Sequence, residues 1–387
     1  MKTRNVLLMI SPSQPERFAG IAAAAREFGW NLTIERNAPT GSRTGRWDGV
    51  LAMVKDDDPA TVRFVRGLVR GGTPVVDLVE NRPDVKLPRV CGDSEAMGRL
   101  AAEHFREHAF EHAVFFSSGW SNVHRLRHRS FARAMGGEVG RWVWAEHAPH
   151  GKTNDWDAFV RWTGRLLSAA PKPLAVFCYS DYDAMRLAGA CRENDVLVPD
   201  EVAILGVDDN TLICENQPVP LSSIRHDLRE IGLCGAKLLN RLKDGAKAPA
   251  KPLRISPRGI TRRRSTDTIA VRNPMLQRAM AEIERSLSDR SLSAGTIAGV
   301  LGIPRVRLDR LFATELGRPV GAEIRRHRLA AVKRLLSETD YPLDAIALDC
   351  GFCHSSHLIR AFRLATGHSP HAWRLQRQPR SHTPALH

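Results

Sequence analysis

Two carboxylates in this sequence stand where an apolar run ends. Asp181 follows Leu174–Cys178 with only Tyr179 and Ser180 between, and Asp208 follows Val202–Val207 directly. A buried strand that ends in an aspartate delivers an acceptor to the carboxyl edge of a sheet, where α/β folds bind small ligands. Carboxylates there accept from the vicinal hydroxyls of a polyol. The same pair would also serve as the acid and base of a sugar-modifying enzyme, and turnover of bound sugar would mark that rival reading. Cys350-Gly351-Phe352-Cys353 has the spacing of a redox or metal site, with His354 and His357 beside it. Redox chemistry expects that motif after a strand, and structural zinc expects a placed ligand set. Here Gly351 and Phe352 already serve the packing of a helical motif, so no metal or cofactor is expected. No Gly-x-Gly-x-x-Gly or Gly-x-x-x-x-Gly-Lys-(Ser/Thr) loop occurs, so nucleotide-driven chemistry lacks support. The scattered histidines give no nucleophile–base pairing to argue from.

The elements that must position those aspartates are legible as a pattern. Val6–Ile10, Gly49–Met53, Pro74–Leu78, Ala113–Phe116, Leu174–Cys178 and Val202–Val207 read as buried strands. Glu16–Phe28, Ser94–Glu107 and Asp227–Leu242 read as helices between them. This alternation predicts an α/β domain of two lobes, each a doubly wound parallel sheet with helices on both faces. Ser11, Ser13, Trp120 and Asn154 are further candidates to line its cleft. Lys243–Pro257, with Pro249, Pro252 and Pro257, reads as an extended return over the domain surface. Gly259–Asp267, with its triplet Arg262-Arg263-Arg264, reads as a polar, basic hinge. The expected organisation is a ligand-binding domain over 1–260, a linker over 261–273 and an all-α domain over 274–387.

The all-α domain contains two similar helix-turn-helix units. In the first, Ala298 and the turn glycine Gly302 precede a helix carrying Leu308 and Phe312; in the second, Ala347 and Gly351 precede Leu358 and Phe362. A small side chain lets two short helices cross closely, and the tight turn needs a residue that tolerates positive φ. Such a unit offers the exposed face of its second helix to a DNA major groove. One match would be weak; two in tandem are specific.

Charge agrees with a nucleic-acid partner. The net charge is +15, and residues 274–387 carry 17 Lys+Arg against 10 Asp+Glu, about twice the basic excess per residue of the remainder. The 43% hydrophobic content describes a globular chain, and no stretch approaches the ~20 apolar residues of a membrane span. Only five consecutive apolar residues follow the basic start, fewer than a secretory leader needs, and seven scattered cysteines suit a reducing compartment. A cytoplasmic protein is expected, which argues against a secreted solute receptor.

The C-terminal stretch resembles the AraC-type DNA-binding domain. The marks are the two units, Gly317-Arg318-Pro319-Val320, the linking run Arg328–Leu336 and the closing Gly367-His368-Ser369-Pro370-His371-Ala372-Trp373-Arg374. Residues 5–260 resemble the periplasmic-binding-protein-like effector domain of LacI/GalR-type regulators. There the marks are Val90-Cys91-Gly92-Asp93-Ser94, Arg127 with Phe131, Ser180–Ala184, Ile204–Asp209 and Leu221–Ile224. The combination implies a sugar-responsive transcription regulator, an activator of carbohydrate utilisation genes with a pentose as effector. It assigns Arg127, Asp181 and Asp208 to the effector pocket. It places Val306, Asp309 and Arg310, then Ser355, Ser356 and Arg360, on the base-facing sides of the two recognition helices. Arg310 and Arg360 would grip guanine, Ser355 and Ser356 are less selective, and Val306 suits a thymine methyl. Asp309 would accept from cytosine or steer an arginine; Arg305 suits a phosphate. Double-stranded DNA, a small sugar, a second copy in a homodimer and RNA polymerase are the implied partners.

Overall fold

The computed structural model describes residues 4–10, 14–35, 47–54, 59–268 and 273–377; Ser11, Ser13 and residues 269–272 of the expected linker lie outside these. The chain divides into two compact units, Met1–Arg106 with His112–Asp267, and Thr268–His387 with Glu107–Glu111.

The first unit opens with β1 (Arg4–Met9), α1 (Pro15–Phe28), β2 (Trp30–Glu35), β3 (Gly49–Ala52), α2 (Pro59–Arg70), β4 (Val75–Asp77) and β5 (Val90–Gly92). Crossing to a second lobe, it forms α3 (Ser94–Glu107), β6 (His112–Ser117), α4 (Asn122–Met135), β7 (Gly140–Val143), α5 (Trp156–Ala169), β8 (Leu174–Cys178), α6 (Asp181–Glu193), β9 (Val202–Val207), α7 (Thr211–Cys214) and β10 (Ser222–Ile224). It returns with α8 (Leu228–Lys243) and β11 (Leu253–Ile255), and ends in β12 (Ile260–Thr261). The first sheet has the order β2-β1-β3-β4, and the second β12-β10-β9-β8-β6-β7. All pairings are parallel except β10 with β12. Continuous burial of β3, β8 and β9 is what sheets covered on both faces require. Helices α1 and α8 cross so closely that a Cβ on Gly232 would lie 2.2 Å from the carbonyl oxygen of Arg17.

The strands expected from apolar runs are present, and the shorter ones were not foreseen. β2 alternates little between buried and exposed positions, and β5, β10, β11 and β12 have two or three residues each. The Lys243–Pro257 return is pinned by β11, which pairs with β5 from Leu253–Val90 to Ile255–Gly92. The basic segment Gly259–Asp267 is not a free hinge. Ile260 and Thr261 pair with Ile224 and Ser223 as an edge strand. Ser265 is buried, its hydroxyl donating to Ile204 O at 2.6 Å and accepting from Ser222 N–H at 2.8 Å. Arg263 pairs with Asp209 at 2.9 Å and Glu215 at 3.2 Å. The triplet looked solvated because those carboxylates lie about fifty residues upstream.

The second unit is helical: α9 (Pro274–Arg285), α10 (Ala294–Leu301), α11 (Arg305–Leu316), α12 (Val320–Glu338), α13 (Leu343–Asp349), α14 (Ser355–Thr366) and α15 (Pro370–Arg377). It has two cores strung on α12. Val320 and Ile324 join Leu276, Ile283, Ile297, Leu308 and Phe312 in the first. Leu329, Val332 and Leu336 join Ile346, Leu358, Phe362 and Trp373 in the second. Glu323 is fully buried between them and accepts from Arg318, Arg326 and His327. Burial alone would raise its pKa, but those donors hold it well below the usual carboxylate range.

Candidate functional site

Asp208 ends β9 with a backbone few side-chain-bearing residues adopt: φ is +111°, and +55° at Asp209. Such strain persists only where the surroundings over-determine it, and it concentrates at functional sites. Here the surroundings are hydrogen bonds. Asp208 N–H donates to Ile224 O at 3.0 Å, and Asp209 N–H to Ser223 Oγ at 3.0 Å. The Asp209 carboxylate accepts from Thr261 at 2.6 Å and Arg263 at 2.9 Å, and Asn210 N–H donates to Asp181 at 2.8 Å. The Asp208 carboxylate itself is left 25% exposed, with His226 Nδ1 at 3.0 Å. Burial pushes the His226 imidazole below its ordinary pKa despite that carboxylate, so the ring is neutral and Nδ1–H is the donor. Its Nε2 lies over Gly92, where a Cβ would sit 2.1 Å away, and has no protein partner.

Two buried arginines face the same ground. Arg127, on α4, donates through Nη1 to Tyr179 O, and its guanidinium lies 4.6 Å from the Tyr179 ring centroid. Arg17, on α1 of the other lobe, has Nη1 2.6 Å from the Met53 sulfur. Among the described residues each Nε lacks a partner. Burial lowers the pKa of both guanidiniums, and the charge of Asp208 acts on both in the opposite sense. The His124 ring stacks 3.7 Å from Tyr179, and burial pushes its pKa down to about 3. Beside it the lobes touch: Ser121 Oγ donates to Asn81 Oδ1 at 2.8 Å, and Asn122 Nδ2 to Glu80 O at 2.7 Å.

Asp208 therefore acts on Arg127 and Arg17 through its charge, without an ion pair to either among the described residues, and Asp181 lies buried behind it. Asp181 is 1% exposed and accepts from Ser223 Oγ at 2.5 Å and Asn210 N–H at 2.8 Å, so both of its oxygens are engaged inside the lobe. Trp120 packs within the second lobe, 6.1 Å from Phe115 and with Arg141 4.5 Å from its ring, and Asn154 is exposed. Arg17, Tyr179 and His226 escaped the sequence reading. Arg17 had one usable signal, a charge on the buried face of an amphipathic helix shared with Ile21 and Ala24.

Burial, and secondarily the charge of Asp208, pushes Asp181 up to about 7. The folded chain therefore binds a proton that the unfolded chain releases near pH 4. That stability is fully present below pH ~4 and is lost as pH rises through ~7. Asp181→Asn is expected to flatten the fall in stability between pH 5 and 8 by a few kcal/mol, because each tenfold difference in proton affinity is worth about 1.4 kcal/mol. Urea unfolding at the two pH values checks it. Asp77, pushed up to about 6 mainly by burial, leaves a residual slope of the same sign. An unchanged slope in the variant would remove Asp181 as its source.

In the second unit, α11 and α14 bury Leu308, Phe312, Leu358 and Phe362 and turn the opposite side outward. Val306 is 72% exposed. Arg305, Arg310, Ser356 and Arg360 are exposed and Ser355 half-buried. Asp309 lies 3.5 Å from Arg305, one turn away. Neither Arg310 nor Arg360 has an ion-pair partner among the described residues. Cys350 is buried in the second core, where burial pushes its thiol up to about 11, whereas Cys353 is exposed. Among the described residues no group of three or more His, Cys, Asp or Glu is placed to hold a metal ion, and no helix is long and apolar enough to cross a membrane.

Residues 102–266 match the family of periplasmic binding protein-like domains, and residues 297–376 a helix-turn-helix domain family. The chain thus joins a periplasmic binding protein-like domain to a helix-turn-helix domain. Over 349 residues the chain is 25% identical to the Xylose operon regulatory protein of Haemophilus influenzae, covering 85% of each. Over 365 residues it is 25% identical to the protein of the same name in Escherichia coli K12, covering 90% of each. Among solved structures, a xylose-binding transcription activator, xylR, superposes with a TM-score of 0.59 at 21% identity, covering 98% of this chain and all of that one. At that identity the likeness speaks to the fold. Both of these relatives are named as regulatory proteins.

Proposed function

We propose that a sugar of the pentose class binds between the lobes against Arg127 and Asp208, and that this sets how the recognition helices engage DNA. The observation that carries the reading is the convergence of Arg17 and Arg127, from opposite lobes, on a strained Asp208. A ligand touching all three favours the closed arrangement over the open one, which is a population shift in favour of closure. Asp181 supports the pocket through Ser223 and Asn210. Val306, Asp309 and Arg310, with Ser355, Ser356 and Arg360, read base edges, and Arg305 contacts a phosphate. The regulator acts in the cytoplasm as a homodimeric activator in contact with RNA polymerase, in keeping with relatives named for the xylose operon. The effector domain runs to Asp267, past the residue 260 expected, and 274–387 form the DNA-binding domain.

Thermal stabilisation by a sugar panel tests the cleft. At a hundred times Kd a bound sugar should add about 2.7 kcal/mol, and Asp208→Ala should abolish the shift. A shift that persists in Asp208→Ala would place the sugar elsewhere. Affinity for operator DNA, measured with and without the stabilising sugar, then tests the coupling.

A further inference from the structure

The cleft holds more positive charge than a neutral sugar can answer. Arg17 is 3% exposed and Arg127 4%. Buried charges are ordinarily paired, because an unpaired one forfeits its hydration for nothing. Of the nearby carboxylates, Asp77 is taken by Arg89 at 2.9 Å. Asp181 is taken by Ser223 and Asn210, and Asp183 by Ser118 and Ser180. His226 is neutral. Among the described residues Asp208 alone remains to balance the two guanidiniums, and it lies within ion-pair distance of neither. Arg17 is the less satisfied of the pair. Its Nη1 meets a thioether, a weak acceptor, and its Nε meets nothing.

Building on the sugar-sensor reading, we propose that the effector is a sugar acid, a monoanion whose carboxylate pairs with Arg17 while its hydroxyls engage Asp208 and Arg127. A carboxylate matches the flat fork of a guanidinium and supplies one negative charge, which is the excess to be balanced. A phosphate monoester carries about −1.5 to −2 and would leave the cleft net negative. Because Arg17 and Arg127 come from different lobes, the acid would draw the lobes together, as a neutral sugar bound to the second lobe alone would not.

The test is calorimetric titration of the full chain with D-xylonate, D-gluconate, D-galacturonate and D-glucuronate. Alongside them run the neutral sugars D-xylose, D-glucose and D-galactose, and D-glucose 6-phosphate. The expected result is one acid binding at least about tenfold tighter than its neutral counterpart, as a charge-assisted bidentate pair should give. Arg17→Met should erase that preference, bringing the acid's affinity down to that of its neutral counterpart. Arg17→Lys, which keeps the charge without the fork, should retain part of it. A neutral sugar binding as tightly as its acid, or the phosphate binding tightest, overturns the sugar-acid proposal and leaves the sensor intact. Binding by none of the compounds overturns both. The ratio in the unaltered protein decides the matter even if Arg17→Met does not fold.

Discussion

With Arg310 and Arg360 both replaced by alanine, affinity for the selected operator is expected to fall by on the order of a hundred-fold or more. Each guanidinium that grips a guanine edge contributes about 1–3 kcal/mol of discrimination, and about 1.4 kcal/mol is a factor of ten. The two residues sit on different helices with separate cores, so their losses should add. Affinity for a scrambled duplex should fall far less, since phosphate contacts supply most non-specific binding. The measurement is fluorescence anisotropy at one fixed salt concentration, against the scrambled duplex and an operator selected from a random pool. Equal weakening on both duplexes would make these arginines phosphate contacts. Arg305→Ala should instead weaken both duplexes and lower the salt dependence of binding.

The two turn glycines should respond unequally to the same substitution. Gly302 and Gly351 have φ of +67° and +73°, so an alanine at either costs about 1–2 kcal/mol in backbone strain. Around Gly302 nothing lies within 4 Å of an added Cβ. At Gly351 that Cβ would meet Leu287 O at 2.5 Å and Arg328 Nε at 2.8 Å. Arg328 is itself held, donating to Asp289 O at 2.6 Å and Leu287 O at 3.3 Å. Gly351→Ala should therefore add an overpacking cost of about 1–3 kcal/mol that Gly302→Ala escapes. Thermal unfolding of the two variants, followed by circular dichroism, checks the difference. Equal losses would mean that the Arg328 contact yields freely. The same contact binds the second turn to the loop after α9, so Gly351→Ala should also disturb the relation between the two reading heads.

The parts of this architecture written in local pattern were readable from sequence. Leu174–Cys178 and Val202–Val207 are strands to the residue, because an unbroken apolar run of five or six residues is too short for a helix. Asp208 was found because it ends such a run. The remainder depends on distance along the chain. His226 follows a strand of three residues that cannot announce itself, and it reaches Asp208 only through the β9–β10 register. Arg17 reaches the cleft from the opposite lobe. Arg263 was misjudged because its partners, Asp209 and Glu215, come from a loop its neighbourhood does not mention.

The edge strand β12 bears on how such regulators can be recombined. Because Arg263 and Ser265 follow β12 and complete the second lobe, a graft cut at the arginine triplet would strip the buried Ser265 anchor from the sensor and leave Asp209 without its cation. A seam placed after Asp267 keeps the sensor whole. Interchangeable parts, in this molecule, are separated by the few residues that follow the last bond made by the lobe, and a new reading head would have to be joined there.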